Sequence, residues 1–93
     1  MIKVMIERRI APDMIESYEH AIKQTLRAIL DAEGYISGSS LTDAKDAHHR
    51  VIITNWVSVE AWKRWKKSED RQNVLNIIQP TLIDQEKITV WVS

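Results

Sequence analysis

Cysteine and phenylalanine are absent from this 93-residue chain, and glycine and proline each occur only twice. Without cysteine there is no disulfide framework, no thiolate metal site and no thiol nucleophile. Two isolated glycines cannot form a glycine-rich phosphate loop, and they cannot flank a serine as a nucleophile elbow requires. These absences exclude several common classes of enzyme site.

A dominant charge and a long apolar run are also missing. Thirteen basic side chains balance thirteen acidic ones, so no strong field favours nucleic acid or an anionic membrane as a partner. No apolar stretch approaches the roughly 18 residues of a membrane span, and the first residues lack the pattern of a signal peptide. We therefore expect one domain over residues 1–93, located in the cytoplasm.

Hydrophobic periodicity predicts six elements in the order β-α-β-β-α-β. Strands are predicted where apolar side chains alternate or run together: 2–10, 35–42, 50–57 and 87–92. Helices are predicted where apolar residues recur every three or four positions: 13–33, ended by Gly34, and 59–79, interrupted near Ser68. A polar hairpin loop is predicted at 43–49. The order predicts an α+β ferredoxin-like sandwich, in which a four-stranded antiparallel sheet carries its helices on one face.

The second face of this sheet has no helix to cover it. If the isoleucines and valines of the first and last strands point at the helices, that face carries Met5, Thr89 and Trp91. It also carries one of two sets, between which the pattern does not decide: Val51, Ile53 and Asn55, or Ile52, Thr54 and Trp56. Monomers rarely expose so apolar a surface, so we expect a homodimer with Met5, Thr89 and Trp91 in its interface. The alternative is a monomer whose face is kept wet by polar neighbours.

Two segments carry a family signal. Residues 54–68 read TNWVSVEAWKRWKKS, a strand ending in Trp, a serine cap and a closing Trp-x-x-Ser, and residues 33–38 read EGYISG at a helix-to-strand corner. Together with the order of elements, they resemble the antibiotic biosynthesis monooxygenase family over nearly the whole chain. The resemblance implies a dimeric ferredoxin-like α/β-barrel. It also implies oxygenation of electron-rich aromatics such as anthrones and quinols without metal or flavin, so we expect no cofactor.

A haem-degrading branch of that family implies a different site. It uses an Asn on the first strand, a Trp in the second helical stretch and a His ten residues later. Only the Trp is matched here, by Trp65, because Arg8 and Leu75 stand at the other two positions. Without an axial ligand we do not expect haem binding. His48 and His49 are adjacent on an extended segment and do not predict a metal site.

Four residues are candidates for a site, and each has an alternative structural role. Trp65 would form the wall of a substrate pocket or pack in the core. Asn55 would bond a substrate oxygen or take part in structural hydrogen bonding, and Arg71 would attract an acidic substrate group or coat its helix. His20 is the candidate for a catalytic base, although Glu16, four residues before it, favours an exposed pair.

Two functions are compatible with this set of residues. The first is a cofactor-independent monooxygenase acting on a small electron-rich aromatic of the quinol, phenol or anthrone type. The second is a non-catalytic dimeric module of the same fold that binds a small molecule or a protein. The family resemblance favours the first, and the lack of an obvious base favours the second.

Overall fold

A computed structural model describes residues 1–93 and confirms the predicted fold class. The elements are β1 (Ile2–Arg9), α1 (Ile15–Ile29), β2 (Tyr35–Asp43), β3 (Asp46–Trp56), α2 (Val59–Lys67), α3 (Glu69–Ile78) and β4 (Lys87–Val92), with a 3-10 turn at Gln79–Thr81. The strands form one antiparallel sheet in the order β2-β3-β1-β4. This is the predicted ferredoxin-like arrangement, with the second helical stretch divided into two helices.

Serine caps fix the two short helices. The Ser58 hydroxyl oxygen accepts the backbone N–H of Ala61 at 3.2 Å and so begins α2. The Ser68 hydroxyl donates to the Trp65 carbonyl at 2.7 Å and accepts the N–H of Arg71 at 3.1 Å. Each such cap contributes about 1 kcal/mol. Ser68 therefore ends α2 and begins α3, as predicted, and it sets Trp65 and Arg71 on either side of the break.

The helix predicted over 13–33 is shorter in the structure. It ends at Ile29, and Leu30 is its C-cap. Gly34 has the positive φ expected of it, 85°, but it serves the turn into β2 rather than the helix end. An added Cβ on Gly34 would also lie 2.9 Å from Val57 Cγ2, so the corner needs glycine for space as well as for conformation.

The polar loop predicted at 43–49 is wrong. Strand pairing continues to Asp43 and Asp46, so a two-residue turn joins β2 to β3. The Asp43 carboxylate accepts the N–H of Lys45 at 2.9 Å, and the Asp46 carboxylate accepts the N–H of His48 at 3.0 Å. These bonds offset the weak strand propensity of the segment, which is why its polar composition misled the prediction.

The register of β1 and β3 decides which side chains face the helices. Val4 pairs with Thr54 and Ile6 with Ile52, and all four are buried. The residues of β3 beneath the helices are therefore Ile52, Thr54 and Trp56. Trp56 is fully buried at the centre of the core, with its ring centroid 5.4 Å from Tyr35, 5.8 Å from Trp62 and 6.4 Å from Trp65.

The opposite face of the sheet, here called the open face, has no covering element. Met5 pairs with Thr89 there, and Lys3 pairs with Trp91, whose side chain is 57% exposed. Val51, Ile53 and Asn55 complete its centre. The predicted interface residues thus share one surface, and the dimer itself stays a prediction. None of the three α-helices has the length and apolar content needed to cross a lipid bilayer.

Candidate functional site

A narrow cavity lies between the helix-covered face of the sheet and all three helices. Its lining is mostly apolar: Ile6, Arg8, Ile22, Thr25, Leu26, Ile29, Gly38, Ser39, Ile52, Thr54, Trp62, Trp65, Arg71, Val74, Leu75 and Ile78. The empty volume of the cavity, including its open mouth, is about 520 Å³. Only about 30 Å³ of it can hold the centre of a water molecule, so the cavity is narrow. A one-ring ligand therefore requires a side chain at the mouth to shift, such as the 38% exposed Leu26.

The aromatic wall of the cavity is formed by Trp62 and Trp65. Both are nearly buried, and both are packed against Trp56 from behind. Trp65 also lines a surface groove on its other side, with Arg64 and Ser68. It therefore separates the cavity from solvent, a position that combines the pocket and packing roles considered for it.

Two arginines are the only ionisable residues in the lining, and one carboxylate holds both. Arg8 on β1 donates from Nε to Glu86 Oε2 at 2.9 Å, and its Nη2 forms an ion pair with the same oxygen at 2.8 Å. Arg71 on α3 donates from Nη2 to Glu86 Oε1. Arg8 Nη1 also donates to the Tyr18 hydroxyl at 3.2 Å. Arg8 and Arg71 are 3% and 4% exposed, so the cluster is removed from bulk water.

The charge of this cluster is positive. Burial alone would raise the pKa of Glu86, but the charges of Arg8 and Arg71 and their hydrogen bonds outweigh burial and hold that pKa below its ordinary value. Glu86 is therefore ionised at neutral pH. Two guanidinium groups share one carboxylate, which leaves one positive charge in excess at the cavity wall.

Arg71 has bonding capacity to spare. Nη2 makes its one side-chain hydrogen bond, to Glu86, and its guanidinium carbon lies 5.8 Å from the centre of the Trp62 ring. No buried side-chain nitrogen or oxygen in the protein lacks a partner, so the remaining nitrogens of Arg71 are at accessible surface. Arg71 also lines the cavity, so a ligand there would lie close to this guanidinium group.

The predicted site residues divide into two groups. The structure brings Trp65 and Arg71 together in the cavity lining. Asn55 lies on the open face, where its Oδ1 accepts from Lys3 at 2.8 Å and its Nδ2 donates to Ser37 Oγ at 3.0 Å. His20 is exposed on α1 in a shallow surface groove. Neither Asn55 nor His20 lines the cavity; Asn55 is hydrogen-bonded to its neighbours on the sheet, and His20 makes no hydrogen bond or ion pair with Glu16.

Sequence reasoning missed Arg8 and Glu86 as parts of the site. Arg8 continues the register of Ile2, Val4 and Ile6, and a charged residue in an apolar register is a signal that could have found it. Glu86 precedes β4 in a segment without periodicity and gives no such signal. Leu75 lines the cavity where the haem-degrading branch has its His, and a leucine offers iron no ligand.

Gly38 shapes the edge of the cavity on β2. A Cβ at this position would lie 2.6 Å from the Tyr35 hydroxyl oxygen and 3.3 Å from the Ile53 carbonyl oxygen. The missing side chain therefore makes room for the hydroxyl of Tyr35 beside the cavity. Burial raises the pKa of Tyr35, so its hydroxyl keeps its proton at neutral pH.

A second ionic cluster lies on the open face, away from the cavity. His49 Nε2 lies 2.6 Å from Glu7 Oε2, and His49 Nδ1 lies 2.9 Å from Asp43 Oδ2. Asp43 and Glu7 raise the pKa of His49, because both ring nitrogens can donate only in the imidazolium form. No group of three or more His, Asp or Glu side chains is arranged to hold a metal ion.

The fold is that of a ferredoxin-like α+β protein with a mostly apolar cavity between its sheet and its helices. The chain belongs to the antibiotic biosynthesis monooxygenase family, whose model matches residues 1–76. This confirms the resemblance carried by the tryptophan-rich segment and the EGYISG corner.

Solved structures share this fold at low sequence identity. One, described as an antibiotic biosynthesis monooxygenase, has a TM-score of 0.90 at 17% identity and covers 100% of this chain and 98% of its own. A variant of SnoaB, a cofactor-independent oxygenase from Streptomyces nogalater, has a TM-score of 0.88 at 10% identity over 99% of this chain and 91% of its own. A conserved protein from Methanosarcina mazei has a TM-score of 0.90 at 13% identity over 97% and 89%. No curated protein sequence matches this chain.

Proposed function

We propose that this protein is a cofactor-independent monooxygenase that acts on a small electron-rich aromatic of the quinol, phenol or anthrone type. The observation that carries the proposal is the cavity, in which Trp62 and Trp65 form an aromatic wall beside a buried excess positive charge. Membership of the family and the structural likeness to SnoaB support oxygenation as the class of reaction.

This chemistry requires little of a protein. The substrate loses a proton to become an electron-rich anion, and that anion passes one electron to O₂. The resulting radical pair combines to a hydroperoxide, which eliminates water. The ring thereby loses two hydrogens and gains one oxygen atom, and the second oxygen leaves as water with those two hydrogens. The substrate supplies all four electrons that reduce O₂. The protein stabilises the anion with Arg71 and Arg8 and keeps water away with Trp65.

No side chain in the cavity lining can accept the proton that the substrate loses, which distinguishes this cavity from an ordinary acid–base site. Its lining holds no Asp, Glu, His, Lys or Tyr, and its only ionisable groups are guanidiniums, which do not accept protons. Nearby positive charge lowers the pKa of a bound phenol. The substrate therefore enters as its anion or loses its proton to water, and the rate should follow the ionisation of the substrate rather than that of a protein side chain.

A homodimer formed through the open face belongs to the same proposal. Trp91, Met5 and Thr89 lie there together with Val51 and Ile53, and covering such a surface with a second copy removes it from water. The cytoplasm stays the predicted location, and one domain over residues 1–93 stays the predicted working unit.

The second candidate is a non-catalytic dimeric module that binds a small aromatic in the same cavity. The lack of any proton acceptor in the lining favours it. The two candidates share a binding site and differ only in whether O₂ is consumed.

Oxygen uptake by chelator-treated protein separates them. A panel of hydroquinones, naphthols and anthrones should contain a substrate whose uptake saturates, exceeds autoxidation and falls at least tenfold in Trp65→Ala. Trp65→Phe keeps the aromatic bulk and should retain folding, whereas Trp91→Ala, on the open face, should leave uptake unchanged. Saturable ligand binding without uptake by any member of the panel would favour the binding module.

A further inference from the structure

We propose that the ligand of this cavity is an aromatic carboxylic acid of one ring, bound as its anion with the carboxylate against Arg71 and Arg8. The inference rests on the proposed function for the reaction. It narrows the substrate from electron-rich aromatics in general, anthrones included, to single-ring compounds that carry a permanent negative charge.

The buried cluster at the cavity wall carries one more positive charge than negative. Arg8, Arg71 and Glu86 bring two positive charges and one negative charge to a cluster whose side chains are 3%, 5% and 8% exposed. An uncompensated charge in such a place is costly unless an opposite charge joins it. One carboxylate in the cavity would make the cluster neutral, whereas a cation would add to its excess positive charge.

No second carboxylate of the protein neutralises Arg8 and Arg71. The third buried arginine, Arg50, lies opposite Arg8 on β3 and bonds the Ala47 carbonyl at 2.7 Å and Glu19 at 3.2 Å. It has its own carboxylate and is absent from the cavity lining. The excess charge therefore belongs to the Arg8 and Arg71 pair that the cavity exposes.

Arg71 has nitrogen donors that can bind the carboxylate of a ligand. Glu86 occupies one nitrogen of Arg71 and leaves the others accessible. Charge-assisted hydrogen bonds from a guanidinium are about twice as strong as neutral ones. The Trp62 ring lies against the same guanidinium, so a ligand that bonds Arg71 brings its own ring alongside the aromatic wall.

The size of the cavity limits the ligand to one ring. The narrow free space means that even a single ring must displace a side chain such as Leu26, and a fused polycycle would have to displace several. Single-ring acids that also carry hydroxyl groups combine the charge that the cluster lacks with the electron density that O₂ requires.

A matched pair of ligands tests the charge directly. The acid 2,5-dihydroxybenzoate and the neutral 2,5-dihydroxybenzamide have nearly the same shape, and calorimetry at pH 7 measures their dissociation constants with the wild-type protein. We expect the acid to bind at least tenfold more tightly. The indole N–H signals of Trp62 and Trp65 should shift in the NMR spectrum on binding, and that of Trp91 should not.

Substitutions then assign the preference to the cluster. Arg71→Gln and Arg8→Gln should each reduce binding of the acid at least tenfold and change binding of the amide little. Arg71→Lys should lose less than Arg71→Gln, and Arg50→Gln, which removes a buried arginine outside the cavity, should keep the preference. Equal binding of acid and amide by the wild type would overturn the inference, and so would a preference that survives both glutamine substitutions.

The same samples separate this inference from the proposed reaction. Tight binding of the acid without oxygen uptake supports the anion site and counts against oxygenation. Oxygen uptake on neutral quinols, with no preference for the acid, supports oxygenation and overturns the anion site.

Discussion

Glu86 holds two buried arginines, so its removal should be among the most damaging single changes in this chain. Glu86→Gln keeps the shape of the side chain and deletes the charge, which leaves Arg8 and Arg71 facing each other across the cavity wall without a counter-ion. Breaking a buried ion pair by removing one partner costs about 3–5 kcal/mol. A domain of 93 residues has a total stability of roughly 5–14 kcal/mol, at about 0.05–0.15 kcal/mol per residue.

The expected loss is large enough to measure in two ways. Urea unfolding followed by circular dichroism gives the free energy of unfolding, and a thermal scan gives Tm, which should fall by at least about 12 °C at roughly 4–8 °C per kcal/mol. Glu19→Gln is the matched control, because Glu19 pairs with Arg50 but its side chain is 54% exposed. An exposed pair contributes at most about 1 kcal/mol.

A double variant should recover part of the stability lost in Glu86→Gln. Arg71→Met in the Glu86→Gln background leaves only Arg8, so the cavity returns to a single excess charge, and the double variant should be more stable than the sum of the two single losses implies. Because the folded pKa of Glu86 is lowered, its contribution is present above the ordinary pKa of about 4.5 and lost as pH falls through the folded value. A loss for Glu86→Gln no larger than that for Glu19→Gln would refute the reasoning.

Three further changes probe other parts of the molecule. Gly38→Ala should displace the Tyr35 hydroxyl and lower ligand affinity at the cavity without unfolding the domain, and unchanged affinity would contradict the close approach. His49 has a raised pKa, so its ion pairs stabilise the fold below about pH 6.5 and are lost as pH rises through the raised value. The thermal stability of His49→Gln should lack that alkaline decline, with wild type scanned alongside. Trp91→Glu should shift the protein toward monomer in light scattering, whereas Leu30→Glu, at an exposed apolar residue elsewhere, should not; a dimer that persists in Trp91→Glu would exclude the open face as the interface.

The sequence predicted most of this fold because its apolar residues repeat clearly, every second residue in the strands and about every 3.6 residues in the helices. The bounds of β4 agree with the prediction, and the break at Ser68 was visible from a serine followed by two acidic residues. The sequence did not show which alternate residues of β3 face the helices, because apolar side chains occupy both faces of this strand. Only the pairing of β3 with β1 assigns each residue to a face. Asn55 was therefore considered for a pocket that lies on the other side of the sheet.

The sequence predicted the part of the site whose residues are close together in the chain. It did not predict the part whose residues are far apart in the chain. Trp65 and Arg71 are six residues apart around a recognisable cap. Arg8 and Glu86 are 78 positions apart, and no periodicity links them. The family match also ends at residue 76, before Glu86. Pattern reasoning thus found the wall of the cavity and missed the residue that sets its charge.

The separation of Arg8 from Glu86 has a consequence for synthesis on the ribosome. Arg8 leaves the ribosome well before Glu86, the carboxylate that neutralises it, because 78 positions separate the two residues. Until then, closing the helices over β1 would bury two like charges, so a nascent chain has reason to stay open. We expect the last strand to complete the sheet and the cavity in a single late step, and a chain stopped before Glu86 to remain a substrate for proteases.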